Sequence, residues 1–201
     1  MKITILISLL ASVITGTAFL AVDKPVKPRR ISLVIPKGWP KPNRDIFAGN
    51  PLTEEGFQLG RKLFYDGRLS KDGNIPCASC HQQFAAFATY DHDLSHGFNN
   101  SFTKRNAPPL FNIAWMGNLH WDGGINHIEV QPLAPLTATN EMAETVENVL
   151  KKISADTAYR RMFRAAFGGE SRLPMACFIR AVSIRKSGSG GSITSSFTAG
   201  W

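Results

Sequence analysis

Regular apolar spacing is confined to the first helical stretch and the C-terminal third of the chain, with a long aperiodic interval between them. Phe57, Gly60 and Phe64 share one helical face, with Leu59 and Leu63 beside them. Thr53 is suited to cap this helix, Glu54 and Glu55 fall in its first turn, and Asp66-Gly67 ends it. Val146, Val149, Leu150 and Ile153 then follow the i, i+3, i+4, i+7 pattern. Tyr159, Met162, Phe163, Ala166 and Phe167 repeat it after a Ser154 cap, and Gly168 closes that helix. Pro174 can open a last helix to about Arg185, with Met175, Phe178, Ile179 and Val182 inward.

Residues 73–140 show little sustained periodicity and are rich in Gly, Asn, His, Pro and aromatic residues. A long irregular segment inside a compact domain needs something to wrap around. Residues 23–52 hold six of the twelve prolines, which reads as an extended arm laid over the domain. Residues 186–201 are Gly/Ser-rich and predict a loose tail. The domain proper is thus expected over 53–185. No internal repeat is present.

At the N-terminus, Lys2 precedes an uncharged, largely apolar run from Ile3 to Val22. That is the pattern of an export signal, with Gly16 and Ala18 placing small residues for cleavage after Ala18, so 1–18 is expected to be removed. An uncleaved anchor reaching to about 22 is the competing reading, since the run is about long enough to span a membrane. Either places the folded part outside the cytoplasm, periplasmic or outward-facing.

Lys and Arg outnumber Asp and Glu 23 to 15, a net charge of +8. The charges are spread along the chain, so they bias the choice of partner toward acidic surfaces without marking a nucleic-acid site. Three cysteines are too few for a disulfide framework. Two of them belong to one motif, Cys77-Ala78-Ser79-Cys80-His81, and Cys177 reads as an inert buried thiol.

That motif carries the chemistry. Two thiols separated by two residues can add to the two vinyl groups of one porphyrin, and the adjacent histidine then lies under the iron. A zinc half-site would need a second pair of ligands, and a redox dithiol would be expected beside a βαβ pattern; neither is present. One covalent haem c, held by Cys77, Cys80 and His81, is the reading, and it supplies the core that residues 73–140 need. The other axial position decides between electron transfer and binding of peroxide or oxygen. His92, His96, Met116, His120, His127 and Met142 are candidates, and spacing alone does not choose among them.

The ordered series Leu59-Gly60-Arg61-Lys62-Leu63-Phe64-Tyr65-Asp66, Arg68-Leu69-Ser70 and Cys77-Ala78-Ser79-Cys80-His81 resembles the bacterial di-haem cytochrome c peroxidase and MauG family. The likeness continues through Arg105-Asn106-Ala107-Pro108, Asn112, Trp121-Asp122-Gly123, Glu129, Gln131 and Glu141-Met142, covering about residues 35–180. The resemblance implies a mainly α, cytochrome c-like haem domain with long irregular haem-wrapping loops. It implies reduction of hydrogen peroxide to water with electrons from a small cytochrome c or cupredoxin, and leaves room for a homodimer.

Residue by residue, the resemblance makes His81 the proximal ligand and His96 the distal histidine that holds the resting iron and leaves on activation. Trp121 matches the tryptophan on the electron path between two haems, and Asn106 a side-chain ligand of calcium at the domain interface. Gln131 and Glu141 match the pair that meets peroxide. Splitting peroxide needs a proton carried between its oxygens, which a carboxylate can do while an amide holds the molecule. From the residues alone, Glu141 reads as a first-turn carboxylate of the following helix and Trp121 as a buried anchor.

Members of that family run on into a second domain with another Cys-x-x-Cys-His. Here the likeness fades into Ser187-Gly188-Ser189-Gly190-Gly191-Ser192, as a truncated or frameshifted product would. A mono-haem electron carrier, or an inactive fragment, is therefore the alternative to a peroxidase. A MauG-like oxidase of another protein is a third reading.

Overall fold

The computed structural model describes residues 27–168, apart from 33, 34, 36 and 43–46. The N-terminal apolar run, the helix expected from Pro174, Cys177 and the Gly/Ser-rich tail lie outside those residues.

The described chain is mainly helical. Helix α1 spans Glu54–Phe64, α2 Cys77–Cys80, α3 Leu133–Thr137, α4 Val146–Ala155 and α5 Thr157–Phe167, with four short 3₁₀ turns between α1 and α3 besides. Extended backbone pairs only at isolated bridges, among them Arg30 with Thr53, His96 with Phe102 and Leu119 with Ile125.

Local chemistry explains the ends of the long helices. Thr53 Oγ1 accepts from the Gly56 amide at 3.1 Å, leaving Glu54 and Glu55 in the first turn of α1. Thr145 caps α4 through the Asn148 amide at 3.2 Å. The cap of α5 is Asp156, whose Oδ1 accepts from Ala158 at 2.7 Å and Tyr159 at 3.3 Å. Ser154 is instead inside α4, bonding back to the Leu150 carbonyl at 2.6 Å. A carboxylate two residues nearer the helix start reaches those amides, and the serine has the carbonyl below it. Gly168 closes α5 at φ +81, a left-handed conformation that glycine adopts without strain.

The buried face of α1 is Gly56, Leu59, Gly60, Leu63 and Phe64, with Phe57 only half-buried. Leu59 and Leu63 reach zero exposure against Val149 and Ile153 of α4 and Tyr159 and Phe163 of α5. Burial on this scale makes each leucine worth about 2–5 kcal/mol against alanine. Partly buried Cys77 packs against this core and also against a second one, built from Phe64, Phe87, Leu110, Ile113 and Ile128.

Polar bonds tie the turn after α1 to α5. The Tyr159 hydroxyl donates to Asp66 Oδ2 at 2.6 Å, and Arg68 pairs with Asp66 at 2.7 Å and Asp156 at 3.2 Å. Burial alone would raise the Asp66 carboxyl, but the hydrogen bonds from Arg68 and Tyr159 outweigh it and hold it at about 2. Burial, then the bond to Asp66, pushes the Tyr159 phenol well above its usual range. Nearby, Glu144 is almost fully buried and paired with Lys152 at 2.5 Å, and that ammonium also bonds the carbonyls of Arg68 and Ser70. A buried carboxylate is tolerated because each of its oxygens finds a donor: Oε2 the Lys152 ammonium, Oε1 the Thr145 amide and the Asn148 side chain.

The N-terminal arm contributes no helix among the described residues. Ile31 donates to the Leu52 carbonyl and Glu54 to that of Arg29, both at 2.9 Å. Further along, the rings of Trp39 and Trp115 meet edge to face at 5.3 Å, and the Trp115 indole donates to the Pro40 carbonyl at 2.8 Å.

Candidate haem-attachment site

Helix α2 is one turn long and consists of the attachment motif itself. Cys77 and Cys80 stand three residues apart on that turn, and His81 follows, its amide bonded to the Cys77 carbonyl at 3.0 Å. Neither thiol is in a disulfide, and both are half-buried. Thr89 donates to the Cys80 carbonyl at 2.8 Å and meets Ser95 Oγ at 2.5 Å, so the end of the turn is pinned to the loop beyond it.

The chain then folds back sharply. Gln82 pairs with Ala88, and Ala86 and Phe87 both take left-handed conformations, at φ +54 and +61. This strained return places the Phe87 carbonyl 2.8 Å from His81 Nδ1. A carbonyl only accepts, so the His81 proton sits on Nδ1 and the lone pair is left on Nε2. Metal-bound histidines are held in this way, with the outer nitrogen donating to a carbonyl.

Cys77, Cys80 and His81 line one cavity of about 680 Å³. That is within the roughly 300–1,000 Å³ of cofactor sites. Ile75, Leu110, Ile113, Leu136 and Met142 form apolar wall, while Lys104 and Arg105 are exposed cations suited to the carboxylates of a porphyrin. Two thiols, an oriented imidazole and an apolar chamber of this size fit a covalent haem.

The remaining residues singled out from the sequence divide between this cavity and the surface. Gln131 and Glu141 both line it, as do Trp121 and Asn106. Trp121 is 60 % exposed, so it is no buried anchor; its indole donates to the Asn106 carbonyl at 2.7 Å. The Asn106 side-chain amide donates to the Asp93 carbonyl at 3.2 Å. Among the described residues no group of three or more His, Cys, Asp or Glu side chains could hold a metal ion.

Glu141 lies in a turn, its amide bonded to the Ala138 carbonyl at 3.0 Å, four residues before the cap of α4. It is not a first-turn carboxylate; Glu147 fills that position. Its carbonyl accepts from Phe98 at 2.6 Å, which draws the 95–101 loop over residues 140–141. Gly97 permits this approach, because a Cβ there would stand 2.0 Å from the Asn140 carbonyl oxygen.

His96 sits at the surface, its ring packed at 4.5 Å from Phe102 and 4.8 Å from His92. The backbone explains the direction. Ser95, held between Thr103 and Thr89, is buried on the cavity side, and side chains alternate along extended chain, so the next residue faces out. Of the axial candidates, Met116, His120 and Met142 line the cavity, while His92, His96 and His127 do not. Nothing in the apolar pattern singles out His120 for that position. The Phe87 carbonyl, which orients His81, has no sequence signal either, since the left-handed return contains no glycine.

A family model described as di-haem cytochrome c peroxidase matches residues 54–187. The chain is 37 % identical over 121 residues to the methylamine utilization protein MauG of Methylorubrum extorquens, covering 60 % of this chain and 34 % of that one. It is 32 % identical over 130 residues to cytochrome c551 peroxidase of Nitrosomonas europaea, covering 65 % and 39 %. Among solved structures it resembles a MauG-like protein associated with microbial copper homeostasis, at 36 % identity and a TM-score of 0.71, over 80 % of this chain and 47 % of that one. The chain thus spans between about a third and a half of the length of these relatives.

Proposed function

The chain belongs to the di-haem cytochrome c peroxidase family, and we propose that it is a c-type haem protein reducing hydrogen peroxide to water with electrons from a small cytochrome c or cupredoxin. The observation that carries this reading is that Gln131 and Glu141 line the same cavity as Cys77, Cys80 and His81. A haem held by those three residues would supply the redox centre. The chain's own groups account for the rest. The Phe87 carbonyl keeps the His81 lone pair directed for coordination. The Gln131 carboxamide holds peroxide by hydrogen bonds, and the Glu141 carboxylate takes a proton from one peroxide oxygen and delivers it to the other. With two electrons and two protons, one peroxide gives two waters.

Trp121, exposed on the cavity wall, is the group through which electrons would enter, and the surface position of His96 suits the place it would occupy after leaving the cavity. Calcium would have Asn106 as one ligand. Export to the periplasm through residues 1–18 is part of the same proposal, with covalent haem as its marker.

A second reading is an electron-transfer protein, for which the paired thiols and the oriented His81 suffice without Gln131 or Glu141. Mixing the purified haem protein with peroxide and a reduced donor separates the two. Rapid peroxide-dependent oxidation of the donor is expected. A low-spin haem that exchanges electrons with the donor and ignores peroxide would leave only the carrier.

A further inference from the structure

We infer that His120 is the positioning residue for Gln131, holding its carboxamide in one orientation so that a fixed end of the amide faces whatever binds in the cavity. The inference rests on reading this cavity as the peroxide site. Of the five histidines, only His81 and His120 line it. His120 is half-buried, and its Nε2 stands 3.1 Å from Nε2 of Gln131.

An amide nitrogen only donates, so the imidazole nitrogen is the acceptor and the His120 proton belongs on Nδ1. The last torsion of a glutamine is broad and roughly two-fold, so the chain's covalent geometry does not say which end of the amide faces which way. An imidazole with its proton on Nδ1 presents only an acceptor at Nε2 and so removes that ambiguity: the nitrogen goes to the imidazole, and the carbonyl oxygen is directed away from it. The orientation matters for peroxide, which presents both donors and acceptors to the pocket.

His120 is fixed for such a task. Its φ of +66 is a left-handed conformation that histidine rarely takes. A closed turn enforces it: Leu119 donates to the Ile125 carbonyl at 2.6 Å, and Gly123 donates back to the His120 carbonyl at 3.2 Å. The following residue, Trp121, is anchored through its indole to Asn106. The imidazole is thus presented by a backbone with little freedom, and non-glycine residues held in this region concentrate where function requires them.

The C–O stretching band of the ferrous carbon monoxide complex tests the inference, because it reports the polar groups that face a bound diatomic molecule. The band should be single in the wild type and should split or broaden in H120F, whose amide samples two orientations. Q131L should shift it, and adding H120F to Q131L should change nothing further. H120E, whose carboxylate presents only acceptor oxygens at similar reach, should restore a single band. Cyanide affinity of the ferric protein should fall roughly fivefold in H120F, as for one lost hydrogen bond.

A wild-type band in H120F overturns the inference. So does an H120F effect that persists undiminished in the Q131L background, which would make His120 act on the ligand directly. A six-coordinate wild type whose sixth position is freed by H120F would make His120 an iron ligand, which also overturns it. Donor oxidation by peroxide is scored separately. Coupled bands in a protein inert to peroxide would sink the peroxide reading and leave the pairing of His120 with Gln131 standing.

Discussion

The helices α1, α4 and α5 and the irregular chain between residues 73 and 143 meet at Cys77 but are organised on opposite terms. In the helical region leucines and aromatics fill the interior, and buried Tyr159 and Glu144 and half-buried Asp66 find partners within it. Backbone conformations there are ordinary. All seven described non-glycine residues with positive φ lie between Ala86 and Ala143, in the region that lines the 680 Å³ cavity. The lesson is a division of labour. One region stabilises itself by side-chain packing, while the other accepts strained backbone to aim a carbonyl at His81 and an imidazole at Gln131.

Removing the attachment thiols tests that division most severely. Cys77→Ala with Cys80→Ala should abolish the covalent haem mass in protein matured in a competent periplasm. Amide exchange should then accelerate across residues 73–143 while α1, α4 and α5 keep their protection. Equal loss of protection in both regions would show one cooperative unit instead. Glu141→Gln should lower peroxide-dependent donor oxidation by about 10²–10⁴-fold. The thermal midpoint should barely move, because Glu141 is outside both apolar cores; a variant with wild-type rates would remove it from the proton-transfer role.

Leu63→Ala inverts the experiment. It should cost about 2–5 kcal/mol in denaturant titrations while haem attachment survives. If haem yield fell in step with stability, the cavity would depend on the helices more than its own geometry implies.

The smallest expected effect concerns acid. Asp66 has a folded value of about 2 against an ordinary 3.8, so its stabilising contribution is present above about pH 4 and is lost as pH falls through 2. Tyr159→Phe removes one of the bonds that lowers it. Acid unfolding should then begin at higher pH, with about 1 kcal/mol lost near neutrality. An unchanged acid limb would mean that Arg68 alone holds the carboxylate.

Much of the helical region was legible from residues alone. Thr53 with Glu54 and Glu55, the apolar spacing through Ile153 and Phe163, and Gly168 are signals that act within one or two turns, where chain neighbours are also spatial neighbours. The attachment motif was legible for the same reason, since its three reactive groups lie within five residues. Ser154 was misjudged as a cap because Asp156, two residues on, competes for the same amides and is better placed to reach them.

The site beyond that motif was decided by tertiary structure. Whether His96 or His120 reaches the cavity depends on the alternation of an extended segment and on a turn closed between Leu119 and Ile125. The orientation of His81 depends on a carbonyl delivered by left-handed alanine and phenylalanine, residues whose types carry no hint of that backbone. Gln131 meets His120 across eleven positions of irregular chain. The sequence by itself determined the capped helices and the turn of the candidate haem-attachment motif. Only the folded chain decided what stands opposite that turn, because contacts between distant loops leave no periodic trace in the residues that make them.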